Sequence, residues 1–428
     1  MFQSLLNAWK LPDLRKKLLF TALIIAIYRL GCFLPVPGID VKAVAEMFGS
    51  GGVFDFYDLF TGGALQQMAI FAMGIMPYIT ASIIMQLLTM VSPRLEALMK
   101  EGPAGQKKVN QYTRYFTGVL ALIEAIGFVF LFKNQGAFPA DEAGNSTFTL
   151  LNVWLVVLTL TVGAVMVMWL GELITQRGIG NGISLMIYCS IISRLPSGLL
   201  NLFNMNPGYW VAMGVIALLV VAAVIFVTQG QRRIPVQYAK RVVGRKVYGG
   251  QSTYLPLRVN MAGVIPVIFA SSVLLFPVTL AQMVPWGWTQ WLAEHIGPST
   301  WWYIAAEVIL IVAFTYFYTA VQFNPIDQAD NLKKYGGYIP GVRPGQKTSE
   351  YIYKVLSRLT FVGAIYLAIV CVIPEVLITR FNVPFYFGGT SLLIVIGVAL
   401  DTVSQIESHL LTRSYEGFLK KGRIKGRR

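Results

Sequence analysis

Residues 59–93 carry no charged side chain, and the apolar stretch LFTGGALQQMAIFAMGIMPYITASIIMQLL, Leu59 to Leu88, fills most of that interval. A lipid hydrocarbon core of roughly 30 Å is crossed by about 20 helical residues, so an uncharged run of this length folds back, tilts steeply or breaks. Gly62, Gly63, Gly74 and Pro77 supply the break. The pattern predicts a short, half-polar helix near Leu65–Met73 and then a full apolar helix from Ile75 to Val91. Pro77 falls in the first turn of the second helix, where its missing N–H has no intrahelical partner to lose. Broken backbone at membrane depth survives where protein packs it or where it lines a cavity, which points to function. A loop helix beside an ordinary span is the plainer alternative, and local chemistry leaves both open.

The rest of the chain is of the same kind. With 428 residues, 55% of them apolar and 13% charged, and a mean hydropathy of +0.61, it reads as a polytopic membrane protein. Lys10, Arg15, Lys16 and Lys17 precede the apolar run Leu18–Leu34 in the manner of a secretory signal. No small-residue cleavage site follows and the run ends in LPVPG, so a retained first span is expected. The three cysteines, Cys32, Cys189 and Cys371, all lie in apolar runs and are expected as free buried thiols.

Ten spans are predicted: Leu18–Leu34, Ile75–Val91, Tyr115–Phe132, Leu150–Leu170, Ile183–Leu200, Tyr209–Val227, Val259–Val278, Trp301–Val321, Ile352–Ile373 and Ser391–Leu411. Loop charge supports an even number. The segment Gln229–Arg258 holds seven basic residues and no acid, and the tail beyond Leu411 holds seven against the single Glu416. Arg94, Lys100, Lys107 and Lys108 follow the second span, and Lys333, Lys334, Arg343 and Lys347 follow the eighth. Ala281–Thr300 and Asn201–Gly208 have no Lys or Arg. Basic loops alternate with basic-poor ones, which puts both termini and the basic loops in the cytoplasm. The net charge of +15 then serves to orient the chain and to meet anionic lipid. The expected organisation is an N-terminal half, residues 1–200, a C-terminal half, residues 201–411, and a basic tail, residues 412–428. A five-plus-five division is common in inverted-repeat folds, although the two halves show no evident sequence match.

Two of the basic loops, about residues 229–258 and 322–351, are longer than a helix–helix connection needs. In the first, apolar alternation around Ile234–Tyr238 and a YGG turn predict a projecting hairpin. Both suit a soluble partner with an acidic or phosphate surface.

Catalytic signatures do not emerge. There is no HExxH, and His295 and His409 are too far apart in differently placed segments to share a metal. GISL at Gly182 lacks the second glycine of a nucleophile elbow. GVRPGQKT at Gly341 places Gln346 where a phosphate loop needs lysine, and GIGNG at Gly178 reads as a turn and helix start. The ionisable groups inside spans are mainly Arg29, Glu124, Arg194, Glu307 and Asp401. Glu307 and Asp401 leave open a small-solute transporter that uses them as coupling groups. Helix-packing hydrogen bonds are the plainer reading of both. Ile75 with Ile79, and Ile183 with Ile187, lie one helical turn apart. A ring of such χ1-stiff side chains makes a narrow dewetted seal, but isoleucine in a membrane helix more often faces lipid or packs.

Seven segments carry a resemblance. IFAMGIMPYITASIIMQLL, QYTRY at Gln111, MWLGELITQRGIGNGIS at Met168, RRIPVQYAKR at Arg232, MAGVIPVIFASS at Met261, DNLKKYGGYIPGVRPG at Asp330 and FYFGGTSLLIV at Phe385 resemble, in order, the bacterial SecY family of protein-conducting channels. The resemblance implies an all-α polytopic fold of ten transmembrane helices, in two inverted five-helix halves around an hourglass pore. It also implies a short re-entrant plug helix, about residues 54–72, including Leu59, Phe60, Thr61, Gly62, Gly63, Ala64 and Leu65. Carried over motif by motif, the constriction ring falls on Ile75, Ile79, Ile183, Ile187, Ile268 and Ile394. A lateral gate falls at Thr80 and Asn260, and docking of SecA or the ribosome falls on Arg232, Arg233, Lys240, Arg241, Lys333, Lys334 and Arg343. The implied partners are SecE and SecG subunits, the motor ATPase SecA, the ribosome, signal-bearing preproteins and anionic membrane lipids. The implied protein is not an enzyme, needs no cofactor or metal, and sits in the plasma membrane. Glu124 departs from the uncharged polar residue expected in some relatives.

Overall fold

Apolar runs become helices because backbone groups in lipid must be satisfied within the segment. The computed structural model describes residues 9, 11–46, 48, 53–134, 136–138, 148–203, 207–238, 241–243, 246–248, 252–283, 287, 300–381 and 389–421. In chain order these form α1 (Pro12–Gly31), α2 (Val41–Ala45), α3 (Val53–Thr61), α4 (Met76–Val91), α5 (Pro93–Lys100), α6 (Pro103–Asn134), α7 (Leu150–Arg177), α8 (Gly182–Phe203) and α9 (Pro207–Gln229). There follow β1 (Gln231–Tyr238), β2 (Arg241–Val243), β3 (Lys246–Tyr248), β4 (Ser252–Arg258), α10 (Ile265–Met283), α11 (Trp301–Gln322), α12 (Pro325–Lys334), β5 (Gly337–Tyr338), α13 (Gln346–Phe381) and α14 (Gly389–Lys421). The ten expected spans are α1, α4, α6 to α11, α13 and α14. The fold is a helical, polytopic membrane bundle, and among the described residues it carries a three-stranded sheet and a two-stranded ribbon at the ends of its helices.

The bundle is apolar outside as well as inside. Leu19, Leu23 and Leu30 of α1, Leu150, Trp154 and Leu158 of α7, and Leu218, Leu219 and Phe226 of α9 are all exposed. In water such a surface would aggregate; in lipid it is the solvated face. Inside, one continuous core runs from Ile24 of α1 to Val398 of α14. Small residues let backbones approach closely. A Cβ on Gly182 would lie 1.9 Å from the Gly171 carbonyl oxygen, and one on Gly163 would lie 2.0 Å from that of Ile70.

Helix ends follow local chemistry. Pro77 lies within the first two positions of α4, as expected, with Ile75 as its N-cap. Ser92 is extended, as a residue before proline tends to be, and α4 and α5 bend by 96° around it. GIGNG is a turn and helix start: Gly178 closes α7, and Asn181 Oδ1 accepts from the backbone N–H groups of Ile183 at 3.1 Å and Ser184 at 3.4 Å.

Four expectations about element bounds are corrected. No helix forms over Leu65–Met73: Gly62–Ile75 runs as successive turns, and the short helix lies before it, as α3. The last helix does not stop at Leu411 but continues to Lys421. The ninth and third spans likewise extend on both sides, into α13 and α6, because Lys and Arg outside the lipid are good helix formers.

The predicted hairpin is present. β1 pairs antiparallel with β4, from Gln231 opposite Arg258 to Gln237 opposite Ser252, and β2 with β3 extends it as a second ribbon. β5, from the other long loop, pairs with the far side of β1 at Gln237–Tyr338 and Tyr238–Gly337. Ile234, Val236 and Leu257 pack beneath the sheet with Ile339 and Ile352. Gly249 and Gly250 of the YGG turn, Lys240, Phe385 and the chain beyond Lys421 lie outside the described residues.

Candidate functional site

A stretch of turns inside a membrane bundle leaves backbone groups that neither water nor a helix can satisfy. Residues 58–75 meet this with side chains brought in from elsewhere. Asp58, 2% exposed and in the last turn of α3, turns its carboxylate onto the chain ahead: Oδ1 accepts from the N–H of Leu65 at 3.0 Å, the N–H of Gln66 at 3.1 Å and the hydroxyl of Thr61 at 3.1 Å. The Arg194 guanidinium of α8 pairs with this carboxylate and donates to Gln66 Oε1 at 3.0 Å. Arg29 of α1 donates from Nη1 to the Gly62 carbonyl at 3.0 Å, which also accepts from the Ser193 hydroxyl at 3.3 Å. Behind them the hydroxyls of Tyr28 and Ser190 are 2.8 Å apart.

The two glycines make this possible. Gly62 and Gly63 have φ of +70° and +92°, a left-handed backbone that costs glycine nothing. A Cβ on Gly62 would lie 2.9 Å from Arg29 Nη1, and one on Gly63 would lie 3.3 Å from Arg194 Nη2. Beyond them the turns are strapped by backbone pairing to the LPVP segment: Val36 N–H donates to the Met68 carbonyl at 2.8 Å and Ile70 N–H to that of Leu34 at 2.8 Å, with an antiparallel bridge between Pro35 and Ala69. Leu59, Phe60, Thr61, Ala64 and Leu65 are buried at the front of the segment, and Met68, Phe71 and Met73 further along it. Tyr57 hydroxyl donates to the Met73 carbonyl at 3.1 Å and closes the loop on itself.

All six isoleucines belong to the main apolar core or pack against it. Ile75, Ile79, Ile187, Ile268 and Ile394 are buried in it and Ile183 is partly buried against it. Their helices make a chain of neighbours, α4 with α10, α10 with α14 and α14 with α8, while α3 touches both α8 and α10. Thr80 and Asn260 are buried, and each hydrogen-bonds locally: Thr80 Oγ1 donates to the Met76 carbonyl at 3.1 Å, and Asn260 Nδ2 to the Gly263 carbonyl at 3.1 Å. Asn260 lines a cavity of about 250 Å³ together with Asn181, Arg258, Ile268, Asp401 and Gln405, so polar space reaches one of the six isoleucines.

The two intramembrane acids singled out in the sequence stand apart. Glu307 of α11 accepts from Thr390 of α14 at 3.3 Å, a helix-packing bond, while Asp401 faces the polar cavity. Glu124 of α6 is buried, and among the described residues its Oε2 has no hydrogen-bond partner.

Of the expected docking residues, Arg232 and Arg233 lie exposed on β1, Lys333 and Lys334 in the last turn of α12, and Arg343 in the exposed turn before α13. β1 and β5 join the two long loops in one sheet, so these cations share one end of the bundle. Arg241 opens β2. The network around Asp58 was missed in the sequence. Arg29 and Arg194 were visible as basic residues inside spans, and Asp58 as the acid that opens the uncharged run, but their pairing across 136 positions has no sequence signature.

With this geometry in place, the comparisons with known proteins agree. The family model described as SecY matches residues 69–403. The protein translocase subunit SecY of Streptomyces galbus is 49% identical over 440 residues, covering 98% of this chain and 100% of that protein. Among solved structures, a SecY channel described as having a plug domain that stabilizes its closed state and maintains a membrane seal is similar with a TM-score of 0.64 at 21% identity, covering 96% of this chain and 94% of that one. Sec61 in the canine ribosome–channel complex from the endoplasmic reticulum is similar with a TM-score of 0.60 at 18% identity, covering the same shares. At those identities the structural likeness speaks to fold.

Proposed function

This chain belongs to the SecY family, as the channel-forming subunit of a protein translocase in the plasma membrane, and from that premise we propose which of its residues do the work. Residues 54–72 are the plug, and Ile75, Ile79, Ile183, Ile187, Ile268 and Ile394 are the constriction it rests against. The observation that carries this reading is the seated turn itself. A non-helical segment is buried in the bundle and bonded to Ser193 and Arg194 of α8, and the helix α3 that leads into it packs on α8 and α10, helices that supply three of the six isoleucines. A narrow β-branched ring holds ions back by fitting closely around an extended chain and by dewetting when empty.

Opening separates α4 from α10, with Thr80 and Asn260 exchanging their local hydrogen bonds for water or for the incoming chain. A signal sequence enters between those helices and apolar segments leave sideways into lipid. The two halves, residues 1–200 and 201–411, part like jaws while both termini and the sheet stay in the cytoplasm. Arg232, Arg233, Lys240, Arg241, Lys333, Lys334 and Arg343 receive SecA or the ribosome, which supply the driving force, and SecE and SecG complete the complex. A solute transporter coupled through Glu307 and Asp401 is not favoured, since it leaves the cationic sheet and the seated turn without a role.

The test is reconstitution of the full chain with SecE, SecG and SecA in vesicles. The reading expects ATP-dependent import of a signal-bearing preprotein; vesicles that stay empty under these conditions refute it.

A further inference from the structure

Two arginines inside a membrane bundle are costly and need a reason. Here both are directed at one short segment, and they come from different helices, α1 and α8, neither of which is continuous with it in sequence. Simple satisfaction of stray carbonyls explains Arg29 on Gly62. It does not explain a full carboxylate–guanidinium pair, because neutral donors such as Ser193 already serve the same turn. Asp58 is 2% exposed, and among the described residues its charge is held by Arg194, two N–H groups and one hydroxyl.

We propose that Asp58, Arg194 and Arg29 form a polar latch that seats the plug and sets the strength of signal needed to unseat it. This rests on the reading of residues 54–72 as the plug. The physical basis is that polar contacts exchange with water while apolar ones do not. When the pore hydrates, the freed guanidiniums and the carboxylate are solvated, so their release costs far less than baring an apolar surface of the same size. The latch therefore gives a closed state that is firm while dry and easily undone once the gate admits water or a signal sequence. The segment's apolar side chains supply the fit, and the ion pair supplies the threshold.

The experiment uses the full chain with its partner subunits in vesicles, reading resting ion leak and import of two preproteins, one with an intact signal and one with a shortened apolar core. Asp58→Asn and Arg194→Gln should raise the leak about tenfold, less than breaking a fully buried pair would give, because Arg194 is 29% exposed. Both should admit the weak-signal preprotein while importing the intact one as the wild type does, and Arg194→Lys, which keeps the charge, should stay close to wild type in stringency. Variants that import the intact preprotein with unchanged leak and stringency overturn the latch. Failure of the wild-type complex to import the intact preprotein overturns the channel reading instead. A measurement on the unmodified chain covers variants that fail to fold: hydrogen exchange at the Leu65 and Gln66 amides should speed up when a signal peptide opens the channel, and protection that persists through opening also overturns the latch.

Discussion

Replacing Ile268 with asparagine tests the proposed seal at the position where polar space already reaches it. Ile268 is 5% exposed, belongs to the main core and lines the cavity of about 250 Å³ that also holds Asn260 and Asp401. In the closed state the change forfeits about 1.5–3 kcal/mol of apolar burial and buries an amide at a cost of about 1–3 kcal/mol. The adjoining cavity can hydrate the new amide on one side, which puts the combined effect at the low end, about 2.5 kcal/mol. At 1.4 kcal/mol per decade this shifts the balance between dry and hydrated states by about sixtyfold. The assay is resting conductance of the purified channel in planar bilayers, with Ile268→Val as the control. Loss of one methylene costs about 0.5–1.5 kcal/mol without adding a polar group, so the control should leak far less than the asparagine variant. An Ile268→Asn channel that folds, translocates preprotein and leaks no more than wild type refutes the assignment of Ile268 to the seal.

Two further outcomes follow from particular contacts. Gly163→Ala drives a Cβ to within 2.0 Å of the Ile70 carbonyl, whose residue is already fixed by its N–H bond to Leu34; it should destabilise the protein by about 1–3 kcal/mol, seen as a lower unfolding temperature in detergent. Gly118→Ala, on the same scale of change but with nothing within 4 Å of the new Cβ, should not lower it. Arg343→Glu reverses an exposed cation beside the sheet that joins the two long loops. On the proposed docking role it should weaken binding of SecA by about 1 kcal/mol or more and slow import, with no change in unfolding temperature or resting leak.

Much of the bundle could be read before any coordinates. Apolar length sets spans, and the glycines and proline of residues 62–77 announced a break, because glycine and proline act through the backbone of their own residue. The hairpin was readable for the same reason, since alternation at Ile234 and Val236 is a local pattern. The same local reasoning failed at Leu65–Met73. Its composition suits a helix, yet the Ile70 N–H donates to the Leu34 carbonyl and the Met68 carbonyl accepts from the Val36 N–H, so backbone bonds a helix would need are spent elsewhere.

The chain by itself determined its membrane character, the number of spans, the place of the break and, through seven ordered motifs, its family. Tertiary structure alone decided that the break is a seated turn, that Arg29 and Arg194 hold it, and that two distant loops share one sheet. The division has a physical cause. Hydrophobicity and backbone permissiveness belong to a residue and its neighbours, whereas an ion pair between Asp58 and Arg194 exists only once two helices have packed.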